Sequence, residues 1–515
     1  MTRMMIRVAA VRNLPIRATF ALPICLFCFV LADSPSPAAT HEHEHPVPEK
    51  LGVVSFQTSC SANVQKEFER AVALLHSFAY SAAEKAFREV IAKDPNCALA
   101  HWGVAMTYFH QLWEPYVAPE DIAYGQLEID QAQRIGGSEK ERGFIDALST
   151  IYAKADSVPY RERANAYTLA MGKLAEGNPD DVECQVFYAL ALIATASPTD
   201  KTHANEKKAA ALLEPLFKKY PQHPGMAHYL IHACDNAEMA QRGVAAARAY
   251  SQIAPSAPHP LHMPSHIYTR LGMWQDSIGS NLAARTAAHA QGDIGEELHA
   301  MDYLTYAYLQ LGRDAEAEGV LEDLHAMKSL RAAEFKIGYA ASAMPVRYAI
   351  ERRQWAEAAQ LEPISGTQPH VFAITVWARA IGLARTGQPA AARQELDRLK
   401  TAYGKLQAAG DDYWAAQVQV QLNEALAWIA HAEGKDDEAL QLIREAADEE
   451  DAVEKRPVTP GAIVPAREQL GDLLLESNHP QEALKEFDRA LTMTPQRRAA
   501  LRGKALATEM IAAIH

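Results

Sequence analysis

The stretch at residues 63–97, "NVQKEFERAVALLHSFAYSAAEKAFREVIAKDPNC", has the pattern of two helices joined by a short turn at "SFAY". Small residues stand at Ala71 and Ala83, an aromatic residue at Phe87, and Asp94-Pro95 closes the second segment. Small side chains let two helices approach closely, and proline cannot continue a helix because it lacks the backbone N–H. We therefore predict a helical hairpin here.

The same design returns near the C-terminus, in "VPAREQLGDLLLESNHPQEALKEFDRALTMTP" at residues 464–495. It is marked by Leu470-Gly471, Ala483, Phe487, Ala490 and Pro495. Both units resemble the tetratricopeptide repeat (TPR), a helical hairpin of about 34 residues. Used as rulers, they place the first positions of repeats at Val64, Ala98, Pro224, Pro258, Leu298, Tyr339, Ala373, Val420 and Val464.

The resemblance implies an all-α fold, a right-handed α-solenoid of TPR-like helical hairpins. A narrower resemblance, to exported bacterial proteins of this type, rests on "HSFAY", "HWGVAM" and "HMPSHIYTRLGMW" and supplies no catalytic residues. The predicted organisation is a signal peptide (1–32), a disordered Pro/His-rich spacer (33–57), TPR-like repeats (58–115), irregular helical hairpins (116–221), His-rich TPR-like repeats (222–335), further TPR-like repeats (336–497) and a capping helix (498–515).

The N-terminus has the pattern of a secretory signal peptide. Four arginines precede the apolar run "FALPICLFCFVL", which is too short to span a bilayer. We expect cleavage after Ala32 or later in "SPSPAAT", and export to the periplasm or the medium. Removing four arginines and no acids takes the formal charge from −14 to −18. A chain this acidic should repel nucleic acid, and no later segment is apolar enough for stable membrane insertion.

Export permits disulfides among the four remaining cysteines. Cys60 and Cys97 precede the first helices of two repeats 34 residues apart, so equivalent ends of neighbouring helices should bring them together. We predict a disulfide between them, and we expect Cys184 and Cys234 to stay reduced.

Six of the 20 histidines lie within the 44 residues from His223 to His266, in "HPGMAHYLIHACD" and "HPLHMPSHIYTRLGMW". By the 34-residue ruler, His228 and His262 share repeat position 5, while His232 and His266 share position 9. Each pair is spaced i, i+4 and so lies on one helix face.

Positions 2, 5 and 9 of the first helix line the concave groove in proteins of the resembled fold. Position 2 holds His259, and the next repeat offers His299, Asp302 and Tyr306 at the three positions. Imidazole binds zinc, copper, iron and nickel, and packed helices about 8–10 Å apart can share one ion. We predict a transition-metal site of His228, His232, His262, His266, His259, His299 and Asp302, with Tyr306 as a further groove residue.

Two readings without an ion stay open: a hydrogen-bonded polar groove that grips a peptide, and histidines that only pack between repeats. Pro264 falls inside the helix, where it removes a backbone hydrogen bond and should kink it. "HEHEH" at 41–45 fits the HExxH spacing, but it lacks the amphipathic helix that zinc-protease chemistry requires, so we interpret it as a solvated or metal-scavenging tail. His76, His101 and His110 occur singly and are expected in the groove or core, outside the ladder.

These patterns predict an exported TPR-type scaffold that binds a protein or peptide in its groove and holds a metal there. Because a solenoid presents a long concave surface, binding is favoured over catalysis. Two alternatives remain: a metalloenzyme using the same histidines, with Asp302 or Tyr306 as acid/base group, and a metal-free peptide-binding scaffold. Beyond the predicted signal peptide, whose Cys25 and Cys28 have the CxxC spacing, the chain has no Gly-rich phosphate loop, GxSxG elbow or CxxC pair.

Overall fold

The computed structural model describes residues 49–112 and 116–514, and every regular element in these ranges is a helix. The predicted signal peptide and the "HEHEH" stretch lie outside the described residues. The predicted all-α fold of helical repeats is confirmed. None of the helices in the described ranges is long and apolar enough to cross a membrane.

The helices follow one another in chain order as α1 (Gln65–His76), α2 (Tyr80–Lys93), α3 (Ala98–Thr107), α4 (Asp121–Ile135), α5 (Glu139–Tyr152), α6 (Tyr160–Gly177), α7 (Val182–Ala194), α8 (Ala204–Lys219), α9 (Pro224–Ala233), α10 (Ala240–Ile253), α11 (Pro258–His262), α12 (Pro264–Arg270), α13 (Trp274–Gln291), α14 (Ile294–Gln310), α15 (Asp314–Ala326), α16 (Phe335–Glu351), α17 (Trp355–Ala358), α18 (Pro369–Arg385), α19 (Pro389–Ala409), α20 (Asp412–Ala432), α21 (Asp436–Asp451), α22 (Ala466–Glu476), α23 (Pro480–Met493) and α24 (Arg498–Ile514). Most helices pack against the helices next to them in the chain.

The same contact joins a hairpin to the helix that follows it at both ends of the array. A Cβ atom added to Gly103 would lie 2.4 Å from the ring of Phe87, and one added to Gly503 would lie 2.2 Å from the ring of Phe487. Phe87 and Phe487 hold the same repeat position, so the aromatic residue of one hairpin fills the space left by glycine in the next helix. This close contact packs each of the two hairpins against the helix that follows it.

The turn between the two helices of a hairpin marks the repeat register. In seven of the nine predicted units, position 15 has a positive φ angle, the left-handed conformation that ends a helix. Glycine holds this position in four units, because it adopts that conformation without strain. The seven residues are Phe78, Gly272, Gly312, Arg353, Gly387, Gly434 and Asn478.

The predicted first positions match helix starts closely in five units, where the first helices begin at Gln65, Ala98, Pro224, Pro258 and Ala466. In the other four units the first helix begins four to eight residues earlier, at Ile294, Phe335, Pro369 and Asp412. The repeat pattern depends on close contacts in the middle of each hairpin. It therefore does not indicate additional helical turns at the start of the first helix. Between residues 116 and 221 the chain forms helices α4 to α8, which pack in sequence like the rest.

The histidine-rich region contains one helix break. Helix α11 ends at His262 and α12 begins at Pro264, so the predicted kink lies at Met263. Helix α9 begins at Pro224, with His223 as its N-cap. The break separates His262 from His266 along the backbone, although their rings remain close, with centroids 5.0 Å apart.

A segment between α21 and α22, residues 452–465, runs back against the histidine-rich repeats. The Lys455 ammonium donates to an Asp235 carboxylate oxygen at 2.6 Å, and the Tyr303 hydroxyl donates to the Thr459 carbonyl at 3.3 Å. Arg347 donates to the Ala462 carbonyl at 3.1 Å. This segment covers the side of the repeats that the sequence predicted to be an open groove.

Cys60 and Cys97 lie together at the start of the array, with their Sγ atoms 2.00 Å apart in a disulfide. Their Cα atoms are 4.7 Å apart, closer than the 5.5–6 Å that is usual. Cys184 and Cys234 are free thiols and are buried.

Candidate metal centre

All six predicted histidine ligands lie in the interior of the protein. Helices α9, α11, α12 and α14 carry them, and their exposed fractions range from 0% to 6%. The expectation of a solvent-facing groove at these positions is therefore wrong. The neighbouring repeats and residues 452–465 enclose the histidines, so they cannot serve as an open polar stripe.

The six histidines form two groups of three. We call His228, His232 and His259 cluster A, and His262, His266 and His299 cluster B. Within each cluster, one ligand nitrogen from every histidine lies within 4.8 Å of the others. Two nitrogens bound to one ion at 2.0–2.1 Å lie at most about 4.2 Å apart, so each cluster needs only a small closure to hold an ion.

The two clusters adjoin each other. The ring centroids of His232 and His266 are 5.9 Å apart, and those of His259 and His262 are 6.2 Å apart. These distances are little longer than those between rings of one cluster, such as 5.0 Å between His262 and His266. The sequence predicted one ladder, and the structure divides it into two neighbouring sites.

The hydrogen bonds of cluster B fix the positions of its protons. His262 Nδ1 lies 2.7 Å from the Asn281 side-chain oxygen, whose amide nitrogen donates to the Ser277 carbonyl at 2.7 Å. His266 Nδ1 lies 2.9 Å from an Asp235 carboxylate oxygen. Both Nδ1 atoms face acceptors and must carry the proton. In each neutral ring the Nε2 atom is therefore unprotonated and has a free lone pair.

Those two Nε2 atoms are 3.1 Å apart and point at each other. Two lone pairs at this distance form no hydrogen bond with each other, and both nitrogens belong to buried side chains. An ion placed between the nitrogens resolves the conflict. A histidine held by a carboxylate through one nitrogen while the other faces an ion is the usual arrangement around protein metals.

Cluster A repeats this arrangement in part. His228 Nδ1 donates to the His76 carbonyl at 2.6 Å, and His259 Nδ1 lies 3.3 Å from a Glu296 carboxylate oxygen. Their Nε2 atoms are 3.1 Å apart, and His232 Nε2 lies 3.0 Å from that of His228. If His232 Nε2 carries a proton, it can donate to His228 Nε2, but the contact between His228 Nε2 and His259 Nε2 still has no proton. His232 Nδ1 has no hydrogen-bond partner among the described residues.

Burial keeps these imidazoles neutral. It lowers the pKa of His228, His232, His262 and His299 well below the usual 6.5, and the neighbouring histidines lower it further. Burial also lowers the pKa of His266, although Asp235 opposes this shift. The rings are therefore in the form that binds metals at neutral pH.

Asp302 does not join either cluster. Its carboxylate lies 3.6 Å from the Arg347 guanidinium, in a buried pair. Burial raises the pKa of Asp302 to about 6, because Arg347 offsets the desolvation only in part. Tyr306, predicted to line the groove, is buried as well, and its hydroxyl accepts from Arg497 at 2.8 Å. The helix turns both side chains toward the buried arginines.

A third histidine group, not predicted from the sequence, lies next to cluster A. The two carboxylate oxygens of Glu183 lie 2.9 Å from His76 Nε2 and 2.9 Å from His223 Nε2. We call these three residues the glutamate triad. His76 is therefore not a solitary core histidine. His101 pairs instead with Glu128 at 2.6 Å, and the ring of His110 packs against Tyr80 at 4.4 Å.

The sequence also did not predict the side chains that contact the Nδ1 atoms of these histidines, because they come from distant residues. Asp235 is 31 positions from His266, Asn281 is 19 from His262 and Glu296 is 37 from His259. Only Asp235 had a local signal, since it ends the quoted "HPGMAHYLIHACD" beside His232. A cavity of about 200 Å³, lined by His232, Asp235 and Lys455 among others, reaches cluster A.

The fold and this geometry together define an all-α helical-repeat protein with two enclosed histidine clusters. No protein-family model and no curated protein sequence matches the chain. Solved structures with a similar fold of helices include the APC/C hetero-tetramer Cut9–Hcn1, at 11% identity and a TM-score of 0.36. The match covers 90% of this chain and 78% of that one.

Two further solved structures are similar in the same way. The TPR domain of P58(IPK) has 11% identity and a TM-score of 0.21, covering 88% of this chain and 99% of that one. The human IFIT1 dimer with m7Gppp-AAAA has 10% identity and a TM-score of 0.35, covering 81% of this chain and 90% of that one.

Proposed function

We propose that this protein is exported and binds transition-metal ions in clusters A and B. The observation that carries the proposal is the pair of His262 and His266 Nε2 atoms, 3.1 Å apart, whose Nδ1 atoms both face acceptors. A metal-free centre would leave buried lone pairs in opposition. One ion in each cluster would satisfy them and would use six neutral imidazoles in all.

The role of the ion depends on its fourth position. Closed structural sites usually have four protein ligands, while catalytic sites have three and one open position. Each cluster offers three histidines, and the 200 Å³ cavity reaches His232 of cluster A. These facts support a second candidate function, a metalloenzyme with its open position at cluster A. Asp302 and Tyr306 take no part in it, because both are held by buried arginines.

Binding of a protein partner is a separate part of the proposal. A helical-repeat array has a long continuous surface, which supports a role in protein binding. The enclosed histidines cannot be the contact surface for a peptide, so we place any partner on the outer faces of the repeats. The acidic composition favours a protein partner over nucleic acid.

The test is the metal content of untagged protein purified from the compartment in which it matures. We expect close to two ions per chain by elemental analysis. A double variant, His262→Gln with His266→Gln, should lose about half of them and remain folded by circular dichroism. Glutamine keeps a polar group beside Asn281 and Asp235 but removes both ligand nitrogens.

The matched control is His370→Gln. His370 is another buried histidine, it stacks on Trp414 with ring centroids 4.0 Å apart, and it belongs to neither cluster. The control should keep its full metal content. Purified wild-type protein with well below one ion per chain, or equal loss in the control, would show that the clusters do not bind metal.

A further inference from the structure

Cluster B is surrounded by groups that limit the charge of its ion. The carboxylate that contacts it, Asp235, accepts from His266 at 2.9 Å, from Lys455 at 2.6 Å and from Arg270 at 2.9 Å. Arg270 also pairs with Glu454 at 3.6 Å, so two carboxylates are balanced by two cations before any ion enters. Glu296, the other carboxylate that acts on His262 and His299, is paired with Lys336 at 2.5 Å. The nearby Asp302 is opposed by Arg347. The ligands themselves are three neutral imidazoles.

Resting on the metal-binding function proposed above, we propose that cluster B is a copper(I) site. A buried ion with no uncompensated carboxylate must be stabilised by its ligands alone, and the desolvation cost rises steeply with ionic charge. A monovalent ion suffers a much smaller cost than a divalent one. Copper is the metal of the imidazole-binding set that has a stable monovalent state, and it also ranks highest in affinity among the divalent ions.

Tyr303 also favours copper(I), because its ring limits the number of ligands that an ion in cluster B can have. Its ring packs against all three imidazoles of cluster B, with centroids 4.7 Å from His262, 5.3 Å from His266 and 5.4 Å from His299. The hydroxyl lies between the Thr459 carbonyl, at 3.3 Å, and His266 Nδ1, at 3.4 Å, on the side of that imidazole away from Nε2. The ring therefore fills the space that a fourth ligand or a water would need.

Zinc sites are almost always four-coordinate, and copper(II) prefers a tetragonal set of donors. Copper(I) has a filled d shell, imposes no geometry and is stable with three nitrogen ligands. Oxidation of the bound ion would add a second charge and create a need for a fourth donor. We therefore expect cluster B to hold copper in the reduced state even in air.

The experiment is an anaerobic titration of the metal-free protein with copper(I), using bicinchoninate as the competing chelator, and a parallel titration with zinc(II). The part of the binding that is lost in the His262→Gln, His266→Gln variant belongs to cluster B. We expect this part to favour copper(I) over zinc by about 100-fold or more. After exposure to air, the copper in cluster B should give no paramagnetic resonance signal.

A pair of Tyr303 variants tests the role of the ring. Tyr303→Ser opens the fourth position, and it should reduce the preference for copper(I) by about tenfold and allow oxidation in air. Tyr303→Phe keeps the ring and should behave as the wild type. Zinc bound by cluster B as tightly as copper(I), or a stoichiometric copper(II) signal that the wild type shows and the His262→Gln, His266→Gln variant lacks, overturns the inference but leaves the metal-binding function standing. Failure to bind either ion would instead defeat the proposed function.

Discussion

The candidate metal centre and the glutamate triad lie side by side, and both contain deeply buried histidines. His76 and His223 are 0% and 4% exposed, as deeply buried as the histidines of clusters A and B. Distances between the polar atoms are also alike, 2.9 Å in the triad and 3.0–3.1 Å in the clusters. Judged by proximity alone, all three groups could hold an ion.

The two regions differ in where their protons lie. In the triad, His223 Nδ1 accepts the backbone N–H of Met226, so its Nε2 carries the proton and donates to Glu183. His76 donates to the other carboxylate oxygen, and its Nδ1 contacts the Tyr229 hydroxyl. Every polar atom in this chain of contacts has a partner. The triad is therefore a completed hydrogen-bond network, while the clusters present opposed lone pairs.

Charge separates the two regions as well. Burial by itself would raise the pKa of Glu183, but the contacts with His76 and His223 outweigh it and lower that pKa to about 2. The carboxylate thus stays ionised between two donors. Buried histidines near one another are not sufficient evidence for a metal site, and the comparison can be tested by disturbing each region in turn.

The largest expected effect is the acid sensitivity of the metal-free centre. The folded-state pKa values of its six histidines lie below 6.5, the unfolded value, so the unfolded chain binds more protons as pH falls. The stability that these neutral histidines contribute is therefore fully present above pH 6.5 and is lost as the pH falls below it. We expect a loss of at most about 1 kcal/mol per histidine between pH 6.5 and 5.5 in the free energy of unfolding.

Urea unfolding at a series of pH values between 7.5 and 5.5 measures this loss. Between pH 6.5 and 5.5 the His262→Gln, His266→Gln variant should lose less than the wild type, by at most about 2 kcal/mol, because two titrating groups are gone. Bound metal should delay the loss until protons displace the ion. A free energy of unfolding that stays constant from pH 7.5 to 5.5 would contradict the buried neutral state of these rings.

The next effect in size is expected at the triad. Glu183→Ala removes the acceptor shared by His76 and His223 and should cost about 3–5 kcal/mol in the free energy of unfolding. Metal content should be unchanged, measured on the folded fraction. Glu183→Gln should cost less, since its amide oxygen still accepts one of the two N–H groups. Loss of metal from the alanine variant without unfolding would make the triad part of the metal centre.

The repeat architecture was predictable from the sequence because it depends on local contacts. Small residues, an aromatic residue and a proline at fixed intervals set each hairpin, and left-handed residues such as Gly272 and Asn478 recur at position 15 of the repeat. The histidine ladder was also visible, since equal repeat positions on neighbouring helices face the same way. These features require only the sequence spacing and the period of a helix.

The division of the ladder into two clusters was not predictable, because it depends on the break at Met263 and on ring rotations set by distant partners. Asp235, Asn281 and Glu296 reach the histidines from other helices. The burial of the centre depends on residues 452–465, which follow it by almost two hundred positions in the sequence. Asp302 had the repeat position of a ligand, but Arg347 from a later helix holds it.

A smaller effect is expected at Asn281, the uncharged side chain that accepts a hydrogen bond from His262 of cluster B. Asn281→Leu removes the acceptor of His262 Nδ1 while keeping a similar volume, and it should weaken metal binding by about 10–100-fold, because an unsupported imidazole is a poorer and less oriented ligand. Competition with a chelator of known affinity measures the change. Asn281→Asp is the matched variant, since its carboxylate still accepts that proton and should retain tight binding. Equal affinity in both variants and the wild type would exclude a role for the Nδ1 contact.

The smallest effect is expected at His370, a third histidine environment that has neither a completed network nor a cluster. Its ring lies parallel to Trp414 at 4.0 Å, and neither nitrogen has a hydrogen-bond partner among the described residues. Burial lowers its pKa to about 3, so the ring is neutral. Phenylalanine keeps the stacking and removes two buried polar atoms, so His370→Phe should change the free energy of unfolding by no more than about 1 kcal/mol, in the stabilising direction. Urea unfolding at pH 7.5 measures the change, with metal content as a second readout. A loss of more than about 2 kcal/mol would mean that the His370 nitrogens bind a group as those of the triad do, and that burial without a partner does not distinguish this histidine.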